Sequence, residues 1–76
     1  MSQAEIAALR IYHNACMAVP WQKNLDPIDN VAQGQRSGLA AVRAAGVDAS
    51  LVAAMDAWAR EELAGLADGS LSWGDG

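Results

Sequence analysis

Phenylalanine is absent from this 76-residue sequence, and cysteine and histidine occur once each. The single Cys16 excludes an internal disulfide bond, which leaves tight packing or self-association to support so small a core. Cys16 and His13 alone supply too few ligands for a structural zinc site. A phosphate-binding P-loop ends in a glycine followed by lysine and then serine or threonine. The segment Gly34 to Gly38 is not followed by such a pair. We therefore expect no metal and no cofactor.

Catalytic signatures are also missing. His13 and Cys16 lie three residues apart on one face of a predicted helix, so their side chains could meet. A reactive thiolate, however, needs an exposed and electropositive setting, and these two residues fall in an apolar stripe. Because three short helices are not expected to form a deep cleft either, the sequence predicts that the protein is not an enzyme.

Positive charge is scarce, since five lysine and arginine residues face nine aspartate and glutamate residues. The formal net charge of −4 disfavours binding to phosphate backbones and to anionic membranes. No apolar run approaches the roughly 18 residues that a membrane-spanning helix needs, and the first residues do not resemble a signal peptide. We expect a cytoplasmic protein.

Alanine, in contrast, fills 17 positions, and no alternating run of β-branched residues suggests a sheet. The sequence therefore predicts an all-α fold, a compact and dimeric three-helix bundle. Proline, glycine and capping residues place the helices at about 3–19, 27–45 and 49–67, in a domain of residues 1–69 with a tail at 70–76. The signals used are the Ser2/Glu5 capping box, Asp26-Pro27, Gly46, Asp48 and Asp68-Gly69.

The first predicted helix is apolar on two sides. One side is an expected core stripe, with Tyr12 at its margin, and the other is lined by small residues. A helix of this kind is usually buried on both sides, between other helices or against a second subunit. The core stripe is Ile6, Leu9, His13, Cys16 and Met17, and the small-residue side is Ala4, Ala7, Ile11, Ala15 and Ala18.

Two glycines, Gly34 and Gly38, lie one turn apart inside the second predicted helix. Each costs about 1 kcal/mol of helix stability relative to alanine, so a close approach by another helix is the expected reason for their presence. We predict that Gly34 and Gly38 pack closely against Ile11 and Ala15, either within one chain or across a dimer contact. A functional cavity beside the glycines is the alternative explanation.

Glu62 lies within the broad apolar face of the third predicted helix. A carboxylate in that position must be paired, hydrogen-bonded or at the rim of the core. We expect a buried ion pair at Glu62, whose candidate partners are Arg10, His13, Arg36 and Arg43.

The segment Ala45-Gly46-Val47-Asp48, followed by Val52 and Met55, resembles the turn of a helix-turn-helix. The resemblance covers about twenty residues and implies a helix that enters the major groove of DNA. The first turns of the third helix offer two carboxylates and no arginine, lysine, asparagine or glutamine, which is unsuitable chemistry for DNA. A helix-turn-helix transcriptional regulator is therefore the alternative interpretation.

The remaining interpretation is a protein-binding module, because more apolar residues occur than one small bundle can bury. Trp21 and Leu25 lie in the first connector, where Trp21 either closes the end of the bundle or anchors a partner. Leu71 and Trp73 lie in the tail, where folding back, exchange within a dimer and recognition all remain open. We predict a homodimeric adaptor or inhibitor, of bacterial or phage origin, that masks a site on a larger protein.

Overall fold

Three α-helices make up the described part of the chain, residues 1–71 of a computed structural model, and no strand occurs within that range. Helix α1 spans Gln3–Ala18, α2 spans Pro27–Ala44 and α3 spans Ala49–Asp68. The prediction of an all-helical, three-helix fold is confirmed. None of the three helices is long and apolar enough to cross a membrane.

Local hydrogen bonds account for where the helices begin. The Ser2 hydroxyl accepts from the Glu5 backbone N–H, and the Glu5 carboxylate accepts from the Ser2 N–H. Asp26 caps α2 by accepting from the Ile28 N–H at 2.8 Å, and Asp48 caps α3 by accepting from the Ser50 N–H at 3.1 Å. Each bond satisfies an amide that has no partner inside its own helix.

Glycines in the left-handed region follow two of the helices. Gly46, after α2, has φ +77° and Gly69, after α3, has φ +83°. Because a side chain disfavours that conformation, glycine allows the chain to turn at these points.

Helix α2 is the central element, since it packs against both α1 and α3. Its buried side carries the apolar residues Leu39 and Val42 together with the polar residues Asn30 and Gln35. The core is completed by Ala8 and Tyr12 from α1 and by Val52, Met55 and Ala59 from α3.

Side chains of α1 approach α2 closely at Gly38. A Cβ atom built at Gly38 would lie 2.6 Å from Tyr12 Cδ2 and 2.9 Å from Cys16 Sγ. At Gly34 the nearest atom would be the Cys16 carbonyl oxygen at 3.7 Å, an ordinary contact. The Ser37 hydroxyl also donates to the Ala15 carbonyl oxygen at 3.2 Å. The close approach at Gly38 is thus made within one chain.

The predicted burial of α1 is correct in part, because Leu9 and Cys16 pack against the core, but the helix is rotated from the predicted orientation. Tyr12, expected at the margin, is 6% exposed, whereas Met17 is 71% exposed and Ile6 is 40% exposed. The small residues Ala4, Ala7 and Ala18 are exposed as well, so α1 is not buried on both sides within the chain. The physical reason is the gap at Gly38, which admits the Tyr12 ring and thereby sets the rotation of α1.

Candidate functional site

An open groove of about 570 Å³ lies where the end of α1, the α1–α2 connector (residues 19–26), the first half of α2 and the middle of α3 meet. Its lining is mainly apolar, with Met17, Trp21 and Trp58 among the contributors. Hydrophobic side chains that remain in water next to a concave surface mark a site for binding. We call this feature the groove.

Two aromatic rings from different helices meet in the groove. Tyr12 of α1 and Trp58 of α3 have ring centroids 5.8 Å apart with an interplanar angle of 64°. This edge-to-face arrangement is the one that aromatic quadrupoles favour. Tyr12 is buried, whereas Trp58 is 47% exposed. Part of the Trp58 indole is therefore accessible from outside the molecule.

Trp21 lies on the rim of the groove and is 62% exposed, so it does not close the end of the bundle. Its position is set by the neighbouring Gln22, whose backbone makes two hydrogen bonds with the side chain of Asn30. The Gln22 N–H donates to Asn30 Oδ1 at 2.9 Å, and Asn30 Nδ2 donates to the Gln22 carbonyl oxygen at 3.0 Å. Because Asn30 is buried on α2, it fixes the connector to a rigid helix.

The partner of Glu62 is a neutral amide rather than the expected cation. Gln35 Nε2 donates to Glu62 Oε1 at 3.0 Å and to the Ala59 carbonyl oxygen at 2.9 Å. Across residues 1–71 the salt bridges join Arg43 and Arg60 to Asp56, and none involves Glu62. The expectation of an ion pair at Glu62 is wrong because Gln35, buried on α2, lies beside Glu62 and donates the hydrogen bond to its carboxylate.

Cys16 also lines the groove, and its sulfur lies next to Gly38 of α2. Burial raises the pKa of the Cys16 thiol, with a smaller contribution in the same direction from the Glu62 charge. The thiol therefore stays protonated at neutral pH and is a poor nucleophile. His13, three residues earlier on α1, is exposed.

The Tyr12 hydroxyl is buried and has no hydrogen-bond partner within the described residues. Burial raises the pKa of this phenol well above its ordinary value, and the neighbouring Cys16 and Glu62 act in the same direction. An unpaired polar atom of this kind is uncommon in a packed interior. It adds an unsatisfied hydrogen-bonding group next to the groove.

The other predicted partner-binding residues lie elsewhere. Leu25 is half-buried in the connector and its N–H donates to the Gln22 carbonyl oxygen at 3.2 Å. Leu71 folds back on α3, where its N–H donates to the Gly65 carbonyl oxygen at 3.0 Å and its side chain covers Gly65. Trp73 lies outside the described residues. Of the three that lie within residues 1–71, only Trp21 lines the groove.

Sequence reasoning missed Asn30 entirely and assigned Met17 to the core. Asparagine is a poor helix former, so Asn30 within a predicted helix was a usable signal for a structural hydrogen bond. No comparable signal identified Met17, because its exposure follows from the rotation of α1.

No group of three or more histidine, cysteine, aspartate or glutamate side chains in residues 1–71 could hold a metal ion. Comparisons with protein-family models, with curated proteins and with solved structures found no match to this chain. The interpretation of the groove depends on its own geometry.

Proposed function

We propose that this protein is a small acidic interaction module, an adaptor or inhibitor that binds a larger protein through the groove and masks a site on it. The observation that carries the proposal is the exposure of Trp21, at 62%, and Met17, at 71%, on the rim of an apolar groove. Tryptophan and methionine are enriched at protein interfaces, where a buried tryptophan often dominates the binding energy.

Rigidity of the rim supports the same function. The two hydrogen bonds between Asn30 and the Gln22 backbone hold the connector before any partner arrives. A backbone segment that is already positioned loses less conformational entropy on binding. The segment that carries Trp21 is therefore partly ordered before binding.

The net charge of −4 favours a basic partner. An acidic chain is steered towards positive surfaces, and a nucleic-acid-binding surface is one that it could cover. This is the mode of action of small acidic regulators of bacterial or phage origin, to which we assign the chain.

Site-specific photo-crosslinking in the cells that encode the protein tests the proposal. A photoreactive amino acid at Met17 should give a crosslink to a different protein, and the added change Trp21→Ala should weaken that crosslink. The matched control places the photoreactive group at Ala53, which is exposed and does not line the groove. Equal crosslinking from both positions, or from neither, would contradict the proposal.

Self-association is a second part of the proposal. Met1 is 82% exposed and Ile6 is 40% exposed at the start of α1, away from the groove lining. A homodimer through this end of α1 would cover both side chains and leave the groove available. Gly34 and Gly38 are not available for that contact, because α1 already covers them.

Binding of DNA through α3 is the alternative. The left-handed Gly46, the half-buried Val47 and the Asp48 cap together support a turn of the helix-turn-helix kind. The charge around this turn is unfavourable for DNA, since Arg43 and Arg60 both lie near the Asp56 carboxylate, which offsets their positive charge.

Titration with mixed duplex DNA in a salt series distinguishes the two proposals. DNA binding predicts an affinity that falls steeply with salt, and the interaction module predicts no retention even at low salt.

A further inference from the structure

Glu62 is the one acidic residue on the groove lining, and within residues 1–71 no lysine or arginine contributes to that lining. Glu62 is half-buried, and its hydrogen bond from Gln35 involves Oε1 only. A carboxylate partly removed from water and given only a neutral donor is incompletely compensated. A cation from outside the chain would complete its pairing.

The aromatic surroundings suit the same ligand. Trp58 and Glu62 are four residues apart on α3, a spacing that places side chains next to each other on one helix face. Tyr12 stands at 64° to the Trp58 ring, so the two rings form adjoining walls beside the carboxylate. The face of an indole attracts a cation, and guanidinium stacks on it well.

We infer that Trp58, Tyr12 and Glu62 form a subsite for a positively charged side chain of the partner protein, arginine in preference to lysine. The inference rests on the proposed function and specifies the chemistry of the partner. Guanidinium pairs with the free oxygen of Glu62 while its plane lies against Trp58. The apolar stem of the same residue lies along the rest of the groove, where the net charge of −4 adds long-range attraction.

Nuclear magnetic resonance of the full chain labelled with ¹⁵N tests the subsite with small probes. Ethylguanidinium stands for arginine, butylammonium for lysine and N-ethylurea for a neutral group of similar shape. Ethylguanidinium should shift the Trp58 indole N–H and the Gln35 side-chain amide signals in a saturable manner. Butylammonium should bind more weakly, and N-ethylurea should leave both signals unchanged.

Two glutamate variants separate a local pair from general charge. Glu62→Gln should fold normally, because its amide oxygen can still accept from Gln35, and it should bind ethylguanidinium about tenfold more weakly. Glu61→Gln removes the same charge from an exposed neighbour outside the groove lining and should bind as the parent does. Trp58→Leu should also abolish the signal change at Gln35.

The inference is overturned if N-ethylurea binds as well as ethylguanidinium, or if Glu61→Gln and Glu62→Gln lose affinity equally. Such results leave the crosslink from Met17 intact, because that crosslink depends on the apolar rim. Conversely, saturable ethylguanidinium binding without a Met17 crosslink would contradict the proposed function and retain the subsite. The two failures are therefore distinguishable.

Discussion

At the scale of single residues, Gly34 and Gly38 are alike in sequence and opposite in surroundings. Gly34→Ala should raise the free energy of unfolding by about 0.5–1 kcal/mol, since its Cβ meets nothing closer than 3.7 Å and alanine favours the helix. Gly38→Ala should lower it by about 1 kcal/mol, because its Cβ would lie 2.6 Å from the buried Tyr12 ring and overpacking outweighs the helix preference. Urea unfolding of the two variants measures the difference. Equal stabilisation of both would mean that α1 does not pack closely at Gly38.

The burial of Tyr12 predicts that the protein loses stability at alkaline pH. Its pKa in the folded state is raised above the ordinary value of 10.0 by burial, so the unfolded chain releases the proton first. The contribution of Tyr12 to stability is therefore complete below about pH 10 and is lost as the pH rises above that value. Because tyrosine occurs once, its phenolate absorbance follows this single group during titration.

Tyr12→Phe is the matched variant, since it keeps the ring and removes the unpaired hydroxyl. We expect the unfolding free energy at neutral pH to be unchanged or higher by up to about 1 kcal/mol. Its decline at alkaline pH should be shallower, with a remainder from Cys16, whose pKa is also raised from its ordinary 9.0 by burial. A loss of several kcal/mol at neutral pH would show that the hydroxyl is hydrogen-bonded.

At the scale of elements, the α1–α2 connector depends on Asn30. Asn30→Ala removes both hydrogen bonds to the Gln22 backbone and should cost about 1–2 kcal/mol of stability, despite the better helix preference of alanine. With fluorotryptophan labels, the ¹⁹F signal of Trp21 should move and sharpen as the connector loosens. The Trp58 signal should change little, because Asn30 makes no hydrogen bond to the helix that carries Trp58.

Asn24→Ala serves as the control, since Asn24 lies in the same connector and is exposed. An equal change of the Trp21 signal in both variants would refute the role of Asn30.

At the scale of the whole molecule, the exposed end of α1 predicts a homodimer. Sedimentation over a range of concentrations should show a monomer–dimer equilibrium that Ile6→Glu shifts to monomer, because a carboxylate would be buried in the contact. Ala40→Glu, at an exposed position of α2, provides a matched change of charge. A monomer at every concentration, or equal dissociation by both variants, would contradict this contact.

Most of what the sequence predicted correctly is local. The capping box at Ser2 and Glu5 and the caps at Asp26 and Asp48 join groups within three residues of one another, so no distant contact is needed to form them. Glu62 was recognised as a carboxylate in an apolar face, but its partner was not. Four arginine and histidine side chains were candidates, and the amide of Gln35 became the partner because two helices had packed together.

The sequence by itself determined the helical class and where each helix begins, because capping and alanine preference act within a few residues. Only the tertiary structure decided which side of α1 is buried, since two apolar sides of similar strength left that choice to Gly38 and the ring of Tyr12. The same rotation left Met17 in solvent and, with Asn30 holding the connector, placed it beside Trp21 at the groove. A groove assembled from three helices depends on long-range packing, which no single stretch of sequence specifies.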